Sequence, residues 1–272
     1  KSAGRGAYRF YIEAYTEATR RKLELRNRLH TGLSRGEFHL VYQPQLDAQR
    51  RLVGLEALLR WTLDGRPVNP SEFIPVAEDS GLIVSLGEWV FAEVCRQVAQ
   101  WRARGLNVPV VSVNVSARQL LGQGLANTFA DMAASAGLQP ASLMLEVTES
   151  QLLDERMLPC AEALHAAGFA LSMDDFGTGQ SSLVKLKKLP IRELKIDKEF
   201  VKDIDADPDD RQICATIHAL ATTLELEVVA EGVETEAQFE LLVAMGCQRF
   251  QGWLFAPALP PAAIEKDWLL VR

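Results

Sequence analysis

Asp174 and Asp175 stand side by side after an apolar run, Ala170 to Met173, and are followed at once by Phe176-Gly177-Thr178-Gly179. Adjacent side chains on a strand point to opposite faces. Both carboxylates can therefore address one pocket only where the strand ends and its backbone turns. The two glycines are the expected source of that freedom. Two ionised carboxylates about 4 Å apart repel by roughly 4 kcal/mol at an effective dielectric of 20. A cation is therefore expected between them.

Further polar residues fall in or at the ends of apolar, strand-like runs. They are Glu56 in Leu55-Glu56-Ala57-Leu58-Leu59, Asn114 in Ser112-Val113-Asn114-Val115-Ser116, Glu146 and Glu149 in Glu146-Val147-Thr148-Glu149, Lys195 and Asp197 in Leu194-Lys195-Ile196-Asp197, Glu231 and Glu234 in Glu231-Gly232-Val233-Glu234, and Gln251 before Gly252. Any one of these could be a structural ion pair. Five or more carboxylates aimed at one mouth, with one lysine and two amides, would repel one another strongly without bound cations. Oxygen donors of this kind suit magnesium or manganese, and the lack of His and Cys among them argues against zinc. A shared carboxylate such as Asp174 could bridge two ions about 3.5 to 4 Å apart, the arrangement that suits in-line displacement at phosphorus. A glycosidase using Glu146 and Glu231 is the alternative chemistry. Against it stand the surplus acids, Lys195, and an aromatic content of only 7% with which to stack sugars.

The elements that must position these groups follow a regular beat. Leu23, Leu25, Leu29 and Leu33, set among Arg and Glu, suit a connecting helix with one narrow apolar stripe. Strands are expected at Phe38 to Gln45 and Leu52 to Trp61, joined so closely that they must be antiparallel. Ser71 is expected to cap a helix over Glu72 to Asp79, and Ser85 to Arg104 reads as an amphipathic helix closed by Gly105. Strands Val108 to Val115, Leu143 to Val147, Ala170 to Asp174, Glu193 to Ile196, Glu227 to Ala230 and Arg249 to Leu254 then alternate with helical stretches, among them Asp154 to Ala167, Ser181 to Lys188 and Asp209 to Leu224, before a final helix from about Pro261. Eight strands in this pattern predict an α/β fold, a TIM-like (β/α)8 barrel modified by its antiparallel first pair. In such barrels the strand ends converge on one mouth.

Composition bounds the partners. A net charge of -7 argues against a broad basic face for DNA or RNA. Apolar content of 48% and charged content of 24% are ordinary for a soluble domain, and no apolar run approaches about 18 residues. Cys95, Cys160, Cys214 and Cys247 form no C-x-x-C pair, which points to a reducing compartment and buried thiols. His30, His39, His165 and His218 have no metal-ligand spacing. The start at Lys1, without Met or a signal-peptide pattern, is expected of a piece of a longer protein.

From about Glu37 to Pro260 the sequence closely resembles the EAL family of bacterial cyclic di-GMP phosphodiesterases. The resemblance is carried by Glu56 to Trp61 (EALLRW), Tyr42 to Gln45 (YQPQ), Phe73 to Glu78 (FIPVAE), SVNVS at Ser112, EVTE at Glu146, DDFGTG at Asp174, KID at Lys195, EGVE at Glu231 and Gln251-Gly252. It implies hydrolysis of cyclic di-GMP to linear pGpG at a two-metal site. Glu56, Asn114, Glu146 and Asp174 would hold one magnesium or manganese ion, and Asp174, Asp175 and Glu231 would serve the second. Calcium would occupy the site and inhibit. Lys195 or Glu231 would prepare the attacking water, and Glu149 would anchor the loop after Asp175. Gln43, Arg60 and Gln251 would contact substrate, with the planar Arg60 fork suited to a phosphate. The departures are Trp253, where the family often has tyrosine, and Ala256-Pro257-Ala258. Family members that bind without cleaving usually lack some of the acids. A cyclic di-GMP receptor without turnover is the alternative from another class.

Residues 1–10 (KSAGRGAYRF) resemble the tail of a GGDEF domain, with Gly6 where asparagine is common. That resemblance makes residues 11–34 a helical linker and 35–272 the EAL barrel. It implies a cytoplasmic domain, free or carried by an inner-membrane-anchored protein, and a homodimer formed through the region after the Ala170 to Asp174 strand.

Overall fold

The first strand starts where apolar residues begin to alternate. In the computed structural model, which describes residues 19–177 and 186–270, β1 (Phe38–Leu46) buries Phe38, Leu40 and Tyr42. Residues 1–10, the first part of the expected linker and most of the Ser181 to Lys188 segment lie outside the described residues. Asp47 ends β1 by accepting hydrogen bonds from the backbone of Gln49 (2.9 Å) and Arg51 (2.8 Å). Arg50 takes a positive φ of 59° there. This tight turn returns the chain as β2 (Leu52–Leu63) and makes the pair antiparallel.

By its contacts the chain divides into two units. The smaller holds residues up to His39 and Leu59–Leu86. The end of β2 there pairs with β3 (Arg66–Val68), a three-residue strand that the sequence pattern did not predict. An aromatic cluster forms its core: Phe38 stacks on Trp61 at 5.3 Å, and Phe73 lies edge-on to Trp61 at 5.5 Å. Asn69, rather than Ser71, caps the helix Pro70–Ser80, accepting from the Ser71 N–H at 3.1 Å. Pro70 then fits the first turn, where its missing N–H is not needed. Residues 19–32 are helical and bury Leu25 and Leu29, whereas Leu23 is 58% exposed. Two positions apart on a helix cannot share a face, so Leu23 leaves the expected stripe.

The larger unit, Leu40–Leu58 and Gly87–Arg272, holds the barrel. Its further strands are β4 (Val110–Asn114), β5 (Leu143–Thr148), β6 (Ala170–Phe176), β7 (Glu193–Ile196), β8 (Glu227–Ala230) and β9 (Arg249–Phe250). The order β1-β9-β8-β7-β6-β5-β4-β2 closes on itself through the β1–β2 pairing. Pairs from β2 through β4 to β9 are parallel, and β1 alone runs against both neighbours. The predicted TIM-like barrel with an antiparallel first pair is therefore the fold.

Several boundaries differ from the pattern. β9 is two residues long instead of reaching Leu254, because the backbone then turns: Gly252 O accepts from Phe255 and Ala256 at 3.2 Å. The helix expected over Asp154 to Ala167 begins only at Leu158 and runs to Ala166, and a separate short helix, Glu149–Leu152, started by a Thr148/Gln151 capping box, precedes it. The final helix, Pro261–Ile264, widens into a π turn over Glu265–Leu269. Among the described residues no helix is long and apolar enough to cross a membrane.

Candidate active site

β6 delivers the two adjacent acids through a bulge. Its register with β7 runs Ser172↔Glu193 and Met173↔Leu194, then resumes at Phe176↔Ile196, which leaves one extra residue on β6. Asp175 takes the left-handed backbone, φ 55°. The turn thus begins on Asp175 itself, the strand continues to Phe176, and Gly177, φ 100°, supplies the expected glycine turn after it, while Gly179 lies outside the described residues. The carboxylates part company at the bulge. Asp174 lies 3.2 Å from the Lys195 ammonium, and Asp175 hydrogen-bonds to Asp197. Asp174 makes a direct contact with this cation, and Lys195 also acts on Asp175 through its charge. Burial, then Asp174 and Asp197, push the Asp175 carboxyl up to about 6.

Lys195 is the centre of the acid cluster. Its strand is buried at every position, and Lys195 itself is 1% exposed. The ammonium meets Glu231 at 2.5 Å, Glu146 at 2.8 Å, Asp174 at 3.2 Å and Glu56 at 3.8 Å. Burial lowers the lysine's proton affinity, but Glu146, Glu231, Glu56 and Asp174 together outweigh it and hold the ammonium well above the ordinary lysine value. Glu146 is driven well upward by burial and by Glu56, against the pull of Lys195. Burial also lifts Glu231, to about 8. Glu56 ends below its usual value, because Lys195 and the amides of Gln251 and Asn114 outweigh burial.

Amides finish the wall. Glu56 accepts from Asn114 Nδ2 at 2.9 Å and from Gln251 Nε2 at 2.5 Å. Gln251 also donates to Gln43 at 3.1 Å and accepts from Gln45 at 2.9 Å, while Gln43 donates to the Ala256 carbonyl at 3.1 Å. Glu149, 2% exposed at the start of its short helix, accepts the Gly177 N–H at 3.0 Å. Gln43, Glu56, Asp174, Lys195, Glu231 and Gln251 line a cleft of about 360 Å³, rimmed by Lys198, Glu234 and Trp253.

The donor set fits a hard cation. Every ligand atom available from Glu56, Asn114, Glu146 and Asp174 is oxygen apart from one amide nitrogen, and Glu146 Oε1 is buried without a hydrogen-bond partner. Among the described residues, however, no three His, Cys, Asp or Glu side chains form, as they stand, a group that could hold a metal ion. The cation they surround is Lys195. A glycosidase would need Glu146 and Glu231 facing each other across open space. Both instead grip Lys195, and Glu146 is 1% exposed beneath the cleft.

Residues 26–258 match the EAL domain family. The chain belongs to that family. Over 264 residues it is 42% identical to the bifunctional diguanylate cyclase/cyclic di-GMP phosphodiesterase MucR of Pseudomonas aeruginosa, covering 96% of this chain and 38% of that protein. It is 40% identical over 277 residues to the oxygen sensor protein DosP of Escherichia coli, covering 99% and 34%. A solved structure of the PaMucR phosphodiesterase in complex with c-di-GMP matches with a TM-score of 0.85 at 42% identity, covering 89% of this chain and 99% of that one. This EAL chain thus spans little more than a third of the curated relatives it matches.

Of the residues singled out in the sequence, the EAL barrel brings Gln43, Glu56, Asn114, Glu146, Asp174, Lys195, Glu231 and Gln251 into one connected set. Asp175 is turned toward Asp197. Arg60 belongs to the smaller unit, where its guanidinium donates to the Leu59 carbonyl at 2.9 Å. Two contributors were missed by sequence reasoning. Gln45 is 2% exposed and holds Gln251, a role signalled only by its two-residue spacing from Gln43. Lys198 lines the cleft just after Asp197, which caps its helix by accepting from the Glu199 N–H at 2.7 Å.

Proposed function

We propose that the chain hydrolyses cyclic di-GMP to linear pGpG in the acid-lined cleft. The observation that carries this reading is the convergence of Glu56, Glu146, Asp174 and Glu231 on Lys195 beside the Gln43–Gln251 amide pair, in a chain akin to named cyclic di-GMP phosphodiesterases. In the reaction a water oxygen bonds to phosphorus, the P–O3′ ester bond breaks, and the water's proton ends on the departing 3′ oxygen.

Glu56, Asn114, Glu146 and Asp174 would hold one magnesium or manganese ion, with Asp174, Asp175 and Glu231 serving a second. Polarisation of the phosphoryl oxygens and acidification of water are what such ions supply there. The protein's own groups divide the remaining work. Lys195, kept charged by four acids, cannot accept a proton near neutrality and instead orients the water and the developing charge. Glu231, beside Lys195 in the same cleft, is the carboxylate placed to take the proton. Gln43 and Gln251 present amides to the substrate. Glu149 steadies the backbone after Asp175 through Gly177.

The same reading assigns an upstream GGDEF domain to the full-length protein. It also assigns a homodimer through the region after β6, which light scattering would test. The decisive experiment is chromatography of products after incubation with cyclic di-GMP and magnesium or manganese. pGpG is expected, and calcium, with its looser coordination, should support little of it. Metal-saturated protein that binds cyclic di-GMP without forming pGpG would replace the enzyme reading with the receptor one.

A further inference from the structure

Arg50 holds a left-handed backbone, φ 59°, in the turn between β1 and β2. A long side chain seldom enters that region, which glycine adopts at no steric cost, so its contacts must offset the strain. The Arg50 guanidinium carbon lies 5.1 Å from the centre of the Phe239 ring and 5.9 Å from that of Phe255, and Arg50 also pairs with Glu236. Both members of the ion pair are half-exposed, so the two ring faces together are the stronger tie. Phe239 and Phe255 meet edge-on at 5.4 Å, and Phe239 rests against Phe250 of β9 at 4.8 Å. The turn is thereby fastened to the helix Glu236–Met245 and to the segment that follows β9.

That segment forms one wall of the cleft. Gln251 and Trp253 line it, and the Ala256 carbonyl, next to Phe255, accepts the Gln43 amide at 3.1 Å. It also has little slack. A Cβ on Gly252 would come within 2.0 Å of the Val233 carbonyl oxygen, which itself accepts the Leu254 N–H at 3.0 Å. We infer that Arg50 is a positioning residue for substrate binding: by stacking on Phe255 it sets the Gln251–Ala256 segment and, through the Ala256 carbonyl, the amide of Gln43. The inference rests on the substrate reading of the cleft. Gln251 touches Glu56, but the other acids and Lys195 stand on β5 to β7 and just after β8, so the effect falls chiefly on binding.

The test uses Arg50→Gly, because glycine accepts this backbone without strain and keeps the turn. With manganese present, the variant should raise KM for cyclic di-GMP about tenfold and leave kcat within about twofold, the pattern of lost uniform binding. Arg50→Lys, which keeps a cation over the rings, should recover part of the loss. Without substrate, the amides of Leu254, Phe255 and Ala256, all hydrogen-bonded donors, should exchange with solvent about tenfold faster in Arg50→Gly. Phe255→Leu should raise KM likewise, and the double variant should be no worse than the worse single one, since both break the same contact. Additive losses, an unchanged KM, or exchange no faster than in wild type overturns the inference. If wild type forms no pGpG, the enzyme reading falls, and the Kd for cyclic di-GMP replaces KM under the same criterion. If wild type neither cleaves nor binds cyclic di-GMP, the inference falls with the substrate reading.

Discussion

Gly177 donates its backbone N–H to the Glu149 carboxylate across 3.0 Å, tying the residue that follows the β6 bulge to the first turn after β5. The acceptor is buried and charged, so the bond belongs to the stronger class, worth about 1.5–3 kcal/mol. Glu149→Ala should lower turnover at least about tenfold through misplacement of the bulge. Glu149→Gln, which keeps an acceptor oxygen, should restore part of it. Steady-state kinetics on both variants check this, and equal loss in the two would mean that charge, rather than the loop tie, is what matters.

Glu56 gathers Asn114, Gln251 and Lys195 around one carboxylate. Glu56→Ala removes a proposed ion ligand and leaves two amide donors without their acceptor. Turnover should fall by more than the about 10–100-fold typical of losing a group that merely supports a ligand. Product chromatography measures it, and retained activity would displace Glu56 from the first ion's ligand set.

Arg249 bridges Glu193, at 2.9 Å, and Glu227 at the start of β7 and β8. Arg249→Met leaves Glu193, 1% exposed, with only the Ser172 hydroxyl at 2.8 Å, and should cost about 3–5 kcal/mol. Burial already raises the Glu193 carboxyl, and losing Arg249 raises it further. The folded state then binds that proton more tightly than the unfolded state does. The deficit relative to wild type should therefore shrink as pH falls through the raised value and be full above it. Urea unfolding of both proteins at about pH 7.5 and about pH 5.5 reads the difference, and a gap independent of pH would contradict it.

Burial pushes the Cys95, Cys214 and Cys247 thiols up to about 12, whereas Cys160 is only half-buried. Thiolate is the reactive form, so a disulfide reagent at about pH 8 should modify Cys160 first in the native protein and the other three only on unfolding. Mass spectrometry of the labelled peptides gives the order. Early labelling of Cys214 would show that its helix opens locally.

The barrel was legible because each parallel strand is a short apolar run between helical stretches, and the tight Asp47 turn leaves β1 no choice but to oppose β2. Glu56, Asn114, Glu146 and Glu231 were legible as acids or amides on such runs. The role of Lys195 as hub was not. Its flanks Leu194 and Ile196 signal a buried strand, but nothing local says that four acids from other strands surround its ammonium. The positive φ of Asp175 was also hidden, since a left-handed aspartate is fixed by strand pairing rather than by its neighbours in sequence. β3 escaped because three residues with a proline in the middle carry no period.

The bulge on β6 constrains the length of the chain more tightly than its chemistry. Between Met173 and Phe176 the strand carries one residue more than β7 does between Leu194 and Ile196. Deleting Asp174 or Asp175 would let the two strands pair without interruption from Met173 to Phe176, leaving one acid opposite Lys195 and no turn to set a second carboxylate apart. Substitutions in this stretch alter single contacts, but a one-residue deletion or insertion removes or enlarges the bulge itself. Related chains that keep this site should therefore vary in which residues occupy the stretch while keeping their number.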